Sequence, residues 1–197
     1  MQPFTVHSGR ALPLRRTDVD TDQIIPSDWL KRVERTGFGA GLFSEWRQHP
    51  GFVLDRPEFA GATILVAGEN FGTGSSREHA VWALQDHGFR AVVSSRFGDI
   101  FRANSHKAGL LAVQLDPADV EALMVAVESQ PSTEVTVDLT QMLLGYDGHT
   151  VAFDIDSHTR ERLLAGLDDI ALTLQHDDDI ARYERARPDW LPTVAAG

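Results

Sequence analysis

Ala62-Thr-Ile-Leu-Val-Ala-Gly-Glu-Asn-Phe-Gly-Thr-Gly-Ser-Ser-Arg-Glu-His79 is the stretch that decides the fold. Its first six residues are a short apolar run between Gly61 and Gly68, the pattern of a buried strand. Gly68, Gly72 and Gly74 let the backbone turn sharply and approach a ligand closely. Residues 77–87 then read as a helix stopped by Gly88. Ser75 and Ser76 arrive where that helix begins. Orphan N–H groups and the positive end of the helix dipole make such a place hospitable to an anion. Arg77 adds a guanidinium fork suited to a carboxylate.

The same alternation runs outward from this stretch. Phe89–Ser95 reads as a second strand, Gly98–Lys107 as a helix closed by Gly109, and Leu110–Leu115 as a third strand. Asp116-Pro117 opens a helix whose Val120, Leu123, Met124 and Val127 fall on one stripe. Glu134–Leu139 and, more loosely, Thr150–Ile155 alternate as strands do. Leu163, Leu164, Leu167, Ile170 and Leu174 form a helical stripe in the last 40 residues, and Pro188 ends the pattern. Val6–Arg16 reads as a turn-rich opening. No internal repeat is present. The expected class is α/β around one core, with a helical C-terminal tail.

Known loop chemistry narrows the glycine segment. A Walker A loop needs lysine where Ser75 stands, and Gly74-Ser-Ser-Arg-Glu lacks the second glycine of a nucleophile elbow. An N-cap serine in a plain glycine turn is the structural alternative. Three glycines, two serines and an arginine together favour an anion site. Asp18-Val-Asp20-Thr-Asp22-Gln23 fails as a calcium loop, because Gln23 and Trp29 occupy the glycine and glutamate positions. It is left as an aspartate-bonded turn or as a source of an orienting carboxylate. Lys31, Arg32 and Arg35 lie before Gly37 and Gly39, as in a lid over an anionic substrate or a solvated loop. The eight histidines show no metal-ligand spacing, and His79 reads as a core histidine. No metal site is expected on this chain.

The chain has 197 residues, 42% hydrophobic and 24% charged, enough for one well-buried domain. Its net charge of −11 is unevenly placed. Residues 1–110 hold 13 basic and 12 acidic side chains, whereas residues 111–197 hold 5 and 17. An anionic substrate is therefore met by the first part or by a partner, and nucleic acid is an unexpected partner. Cysteine is absent, which excludes thiol nucleophiles and a self-contained iron–sulfur cluster. The opening residues lack an apolar core segment and no run approaches about 18 apolar residues, so a cytoplasmic protein without a membrane span is expected.

Asn70-Phe-Gly-Thr-Gly-Ser-Ser-Arg-Glu-His-Ala80, with Val19-Asp-Thr-Asp-Gln-Ile-Ile-Pro26, resembles the 3-isopropylmalate dehydratase small-subunit family. These chains are the separate-chain version of the swivelling domain of aconitase. The likeness continues through Ser94-Ser-Arg-Phe-Gly-Asp-Ile-Phe-Arg102, Asn104 and Gly109–Leu111, and reappears at Gly166–Leu174 in the manner of the bacterial leucine-pathway type. The resemblance implies an aconitase-type swivelling β/β/α domain over residues 1–155, carrying the substrate loop. Residues 156–197 would be a helical extension packed on it.

The resemblance also implies a partner, a large subunit carrying a [4Fe–4S] cluster on three cysteines. The pair would interconvert 2-isopropylmalate and 3-isopropylmalate through 2-isopropylmaleate, in leucine biosynthesis. Dehydrating a hydroxy-diacid means removing a C–H proton and expelling hydroxide, which needs a Lewis acid. A chain without cysteine leaves that metal to the other subunit. By resemblance, Ser75 is the catalytic serine that takes the substrate proton, with Asp22 as the orienting carboxylate. Ser76 and Arg77 contact the dicarboxylate, Gly72 and Gly74 shape the loop, and Lys31, Arg32 and Arg35 belong to the loop that selects the malate side chain. Thr73 stands where many family members carry cysteine. Rival readings are a homoaconitase or methylmalate dehydratase small subunit and, outside catalysis, an anion- or RNA-binding module.

Overall fold

The computed structural model describes residues 1–31, 36–74, 77–188 and 190–191. Its centre is β1 (Val6–Leu14), a nine-residue strand that changes partners halfway. Val6–Arg10 pair antiparallel with β5 (Glu134–Asp138), while Ala11–Leu14 pair parallel with β2 (Ile64–Ala67). The turn-rich opening expected at Val6–Arg16 is thus corrected to the central strand. Gly9 and Pro13, which read as turn formers, each have a reason to lie in it. A Cβ on Gly9 would stand 2.1 Å from Thr63 Oγ1. The Arg10 and Leu14 carbonyls accept from Thr63 and Gly68, so Pro13 turns its missing N–H away from β2, beyond the end of β5 pairing.

From β1 the sheet grows in two directions, in the order β4-β3-β2-β1-β5-β6-β7. On one side β2, β3 (Ala91–Ser94) and β4 (Leu111–Gln114) continue in parallel. Their connections are α2 (Glu78–His87) and α3 (Asp99–Ala108), which pack on each other. Both helices end as the glycine signals require. Gly88 and Gly109 take left-handed backbone at φ 116° and 87°. The N–H groups of Gly88 and Phe89 then satisfy the Gln85 and Leu84 carbonyls. Helix α4 (Pro117–Ser129) lies across β1, β2 and β3, burying Val120, Leu123, Met124 and Val127 as its stripe demands.

On the other side β5, β6 (Leu143–Tyr146) and β7 (His149–Ala152) form an antiparallel meander. Strand β6 has no counterpart among the expected strands. The β6–β7 turn, Asp147-Gly148, has both residues at positive φ, 44° and 77°, as a two-residue primed hairpin turn needs. The strand expected over Thr150–Ile155 is β7 shifted to His149–Ala152.

The tail stripe is not one helix. Gly166 at φ 69° divides it into α5 (Ser157–Ala165) and α6 (Asp169–Leu174), followed by α7 (Asp177–Ala186). Leu163 is fully buried, but Ile170 and Leu174 are 72% and 60% exposed. Among the described residues no helix is long and apolar enough to cross a membrane.

Candidate active site at the strand ends

Three loops leave the carboxyl ends of β1, β2 and β3 side by side. The glycine loop after β2 lies in the middle, and main-chain bonds tie it to both neighbours. Gly72 and Thr73 donate to the Val19 carbonyl at 2.7 and 3.1 Å, and Thr21 donates back to the Thr73 carbonyl at 3.0 Å. On the other flank Phe71 donates to Arg96 O and Gly98 to Phe71 O. The glycines permit this closeness. A Cβ on Gly72 would lie 2.2 Å from Phe101 Cγ, and one on Gly98 would lie 2.4 Å from Gly72 O. Gly72 and Gly74 also hold φ 78° and 83°.

These bonds spend the Gly72 and Thr73 N–H groups on the neighbouring loop. In the first turn of α2 the Ala80 N–H donates to the Arg77 carbonyl at 3.2 Å. Thr73 is held to the loop after β1 through both its N–H and its carbonyl, so exchanging its side chain leaves these bonds intact.

The aspartate run resolves into three roles. Asp18 accepts from Asn70 Nδ2 at 2.7 Å, joining the first two loops. Asp20 caps α1 (Thr21–Ile24) in a reciprocal box with Gln23, its Oδ1 accepting from Gln23 N–H at 2.7 Å. Asp22 is left facing outward, half exposed, where its Oδ1 accepts from Arg77 Nη1. Arg77 stands at the N-cap of α2 with its side chain only 22% exposed. A guanidinium has five N–H donors, so an arginine positioned by one carboxylate has the chemistry to hold a second. Ser75 and Ser76 lie outside the described residues, directly between Gly74 and Arg77 in sequence.

Both flanks of the basic loop are held. Lys31 ends the turn Ser27–Lys31, exposed, with its ammonium 3.1 Å from Asp28. Arg32 and Arg35 lie outside the described residues. Beyond them Phe38 is fully buried, and its N–H donates to Asp86 Oδ2 of α2 at 2.9 Å. A Cβ on Gly39 would meet the α2 main chain at 2.9 Å. Trp29 lies so close to Gly41 that a Cβ there would be 2.5 Å from its ring, which pinches the base of the loop shut. His79 is half-buried in an aromatic cluster with Phe38 and Trp82, at 5.3 and 4.7 Å between ring centres.

A cleft of about 300 Å³ opens beside the glycine loop, lined by Asn70, Gly72, Thr73, Gly74, Arg96 and Gly98. A hollow of about 400 Å³ beside Asp116 and Asp154 is larger, but its acids have the wrong sign for a dicarboxylate. Among the described residues no group of three or more His, Asp or Glu could hold a metal ion, and cysteine is absent from the sequence. The donor set does not fit an iron–sulfur cluster.

Residues 1–118 match the aconitase C-terminal domain, and residues 169–196 match the C-terminal domain of the 3-isopropylmalate dehydratase small subunit. The 3-isopropylmalate dehydratase small subunit of Acidothermus cellulolyticus is 66% identical over 196 residues, covering both chains completely. That of Parafrankia sp. is 64% identical over 195 residues, 99% of this chain and all of its own. This chain belongs to the 3-isopropylmalate dehydratase small-subunit family. A crystal structure of 3-isopropylmalate dehydratase from Methanocaldococcus jannaschii has the same fold, with a TM-score of 0.68 over 90% of this chain and 98% of that one, at 24% identity.

Two features of this family member escaped sequence reasoning. The pairing of Arg77 with Asp22 joins residues 55 apart, a separation at which nothing local signals contact. Arg96 was read only as part of a family motif, yet it lines the cleft and its carbonyl holds the glycine loop. Its place directly after a buried strand, beside Gly98, was the available signal.

Proposed function

We propose that this chain is the small subunit of a 3-isopropylmalate dehydratase, a hydro-lyase that acts with its large subunit to interconvert 2-isopropylmalate and 3-isopropylmalate through 2-isopropylmaleate in leucine biosynthesis. The observation that carries the reading is the full-length identity of 64–66% with small subunits of that name. The Asp22–Arg77 pair beside the glycine loop supports it chemically. Residues 1–155 would form the swivelling domain and residues 156–197 its extension.

The division of labour follows from the side chains. Since this chain cannot hold a cluster, the [4Fe–4S] group belongs to the large subunit, where it supplies a Lewis acid for the departing hydroxide. Ser75, as alkoxide, takes the proton from the substrate carbon, and the C–H electron pair becomes the double bond of 2-isopropylmaleate. An alkoxide needs positive surroundings, which the Arg77 guanidinium and the first turn of α2 provide. Asp22 holds Arg77 in place. Arg77 and Ser76 bind a substrate carboxylate, while Lys31, Arg32 and Arg35 sit on the loop that meets the rest of the substrate.

Ser75→Ala is expected to abolish turnover in the assembled enzyme and leave assembly intact. Following 2-isopropylmaleate by its ultraviolet absorbance decides the point. Activity within tenfold of wild type would overturn the role of Ser75 as base.

A further inference from the structure

The C-terminal tail carries apolar surface that the body of the protein does not use. Ile170, Leu174, Tyr183 and Trp190 are 72%, 60%, 69% and 80% exposed. The other large exposed apolar residues among those described, Val6, Ile100 and Val125, are scattered along the chain and 51–52% exposed. Single exposed apolar residues are ordinary, whereas these four fall within 21 positions of one segment. Ile170 and Leu174 are four apart on α6 and so share a face, the spacing by which helices enter grooves.

The base of this segment is firmly fixed. Leu163 of α5 is buried, and its carbonyl accepts from Phe4 N–H at 2.9 Å. Arg160 donates to the Leu139 and Thr140 carbonyls. Asp169, at the start of α6, binds Arg162 at 2.6 Å and faces Lys107 at 3.7 Å. The chain is therefore anchored up to Asp169 and presents its apolar residues beyond that anchor.

Two observations choose the occupant. The aconitase match covers residues 1–118, whereas residues 169–196 match a domain named for the small subunit alone. A swivelling domain that is a separate chain must be held by contacts instead of a covalent connection, and this tail lies outside the aconitase match and within the domain named for the small subunit. The second observation is charge. Helix α7 opens with Asp177, Asp178 and Asp179, in a stretch where acids outnumber bases 17 to 5 over residues 111–197. A second copy would bring that acidity against itself, whereas a different chain with a basic rim would complement it.

We infer that Ile170, Leu174, Tyr183 and Trp190 form a docking surface for the large subunit, seated in an apolar groove of that chain rimmed by lysine or arginine. The inference rests on the proposed function only for the existence of a large subunit. The full-length chain and its I170S/L174S and Y183S/W190S variants are titrated against the organism's own large subunit, with binding read by biolayer interferometry and turnover by 2-isopropylmaleate absorbance. Substitutions at such exposed positions leave the core untouched, and thermal melting of each variant checks this. Both variants are expected to raise the dissociation constant and the half-saturating concentration at least tenfold, while the rate at saturation stays within twofold. Values within twofold of wild type in both variants would overturn the docking surface. A variant that only lowers self-association in sedimentation, with binding to the large subunit unchanged, would assign the surface to a second copy and overturn it equally. A wild-type pair that binds tightly yet turns over no isopropylmalate would refute the proposed function, while the dissociation constants still decide the docking surface.

Discussion

Arg77 and Asp22 show how this chain spends single side chains. Neither belongs to the glycine loop proper, yet together they place a guanidinium at the start of α2, where the helix already favours negative charge. Gly72 shows the opposite economy, a position that works because it has no side chain. It combines φ 78° with a close approach to Phe101, so Gly72→Ala forces both an unfavourable backbone and a clash with a buried ring. The expected cost is about 3 kcal/mol, lowering the melting temperature by roughly 6–12 °C. Differential scanning calorimetry checks this, and an unchanged melting temperature would show that the loop relaxes freely. The tight turn at this site could be read directly, since Gly72 and Gly74 stand where the backbone needs positive φ. The pairing beside it could not, because Asp22 and Arg77 meet only through tertiary structure.

The elements divide in the same way. Strand β2 and helices α2, α3 and α4 were readable because periodicity and glycine stops agree with their packing. Strand β1 was not. Its glycine and proline answer to neighbours, Thr63 and the end of β5 pairing, that no local window contains. Strand β6 is four residues long, and the Asp147-Gly148 turn beside it was the signal to use. The junction of α3 with β4 carries a pH dependence. His106 lies there with its ring Nε2 3.4 Å from Ala112 O, and burial lowers its pKa to about 4. The folded state keeps this ring neutral, while the unfolded chain takes up a proton near pH 6.5. Stability is therefore complete above about pH 7 and falls as pH drops from about 6.5 toward 4, by up to about 3 kcal/mol from this group. His7 and His87, also lowered by burial, act in the same direction. Urea unfolding at pH 7 and pH 4.5 is expected to show a smaller loss in His106→Gln than in wild type. Equal losses would exclude His106 as a source of the dependence.

The molecule as a whole separates chemistry from acidity. Every candidate site residue lies in the first 110 residues, near neutral in charge, where a dianion can approach. The acidic remainder completes the antiparallel half of the sheet and carries the tail with its four exposed apolar side chains. The sequence has no cysteine, and the described residues hold no cluster of metal-binding side chains, so under the proposed function this chain would supply the proton-transfer and carboxylate-binding half of a site. The most direct test mixes the purified chain with a cluster-loaded large subunit and follows 2-isopropylmaleate formation from 3-isopropylmalate. The expected result is that each chain alone is inactive, the small one colourless, and that activity rises with added small subunit to saturation. Turnover by either chain alone, or none from the saturated pair, would contradict the assignment of half an active site to this chain.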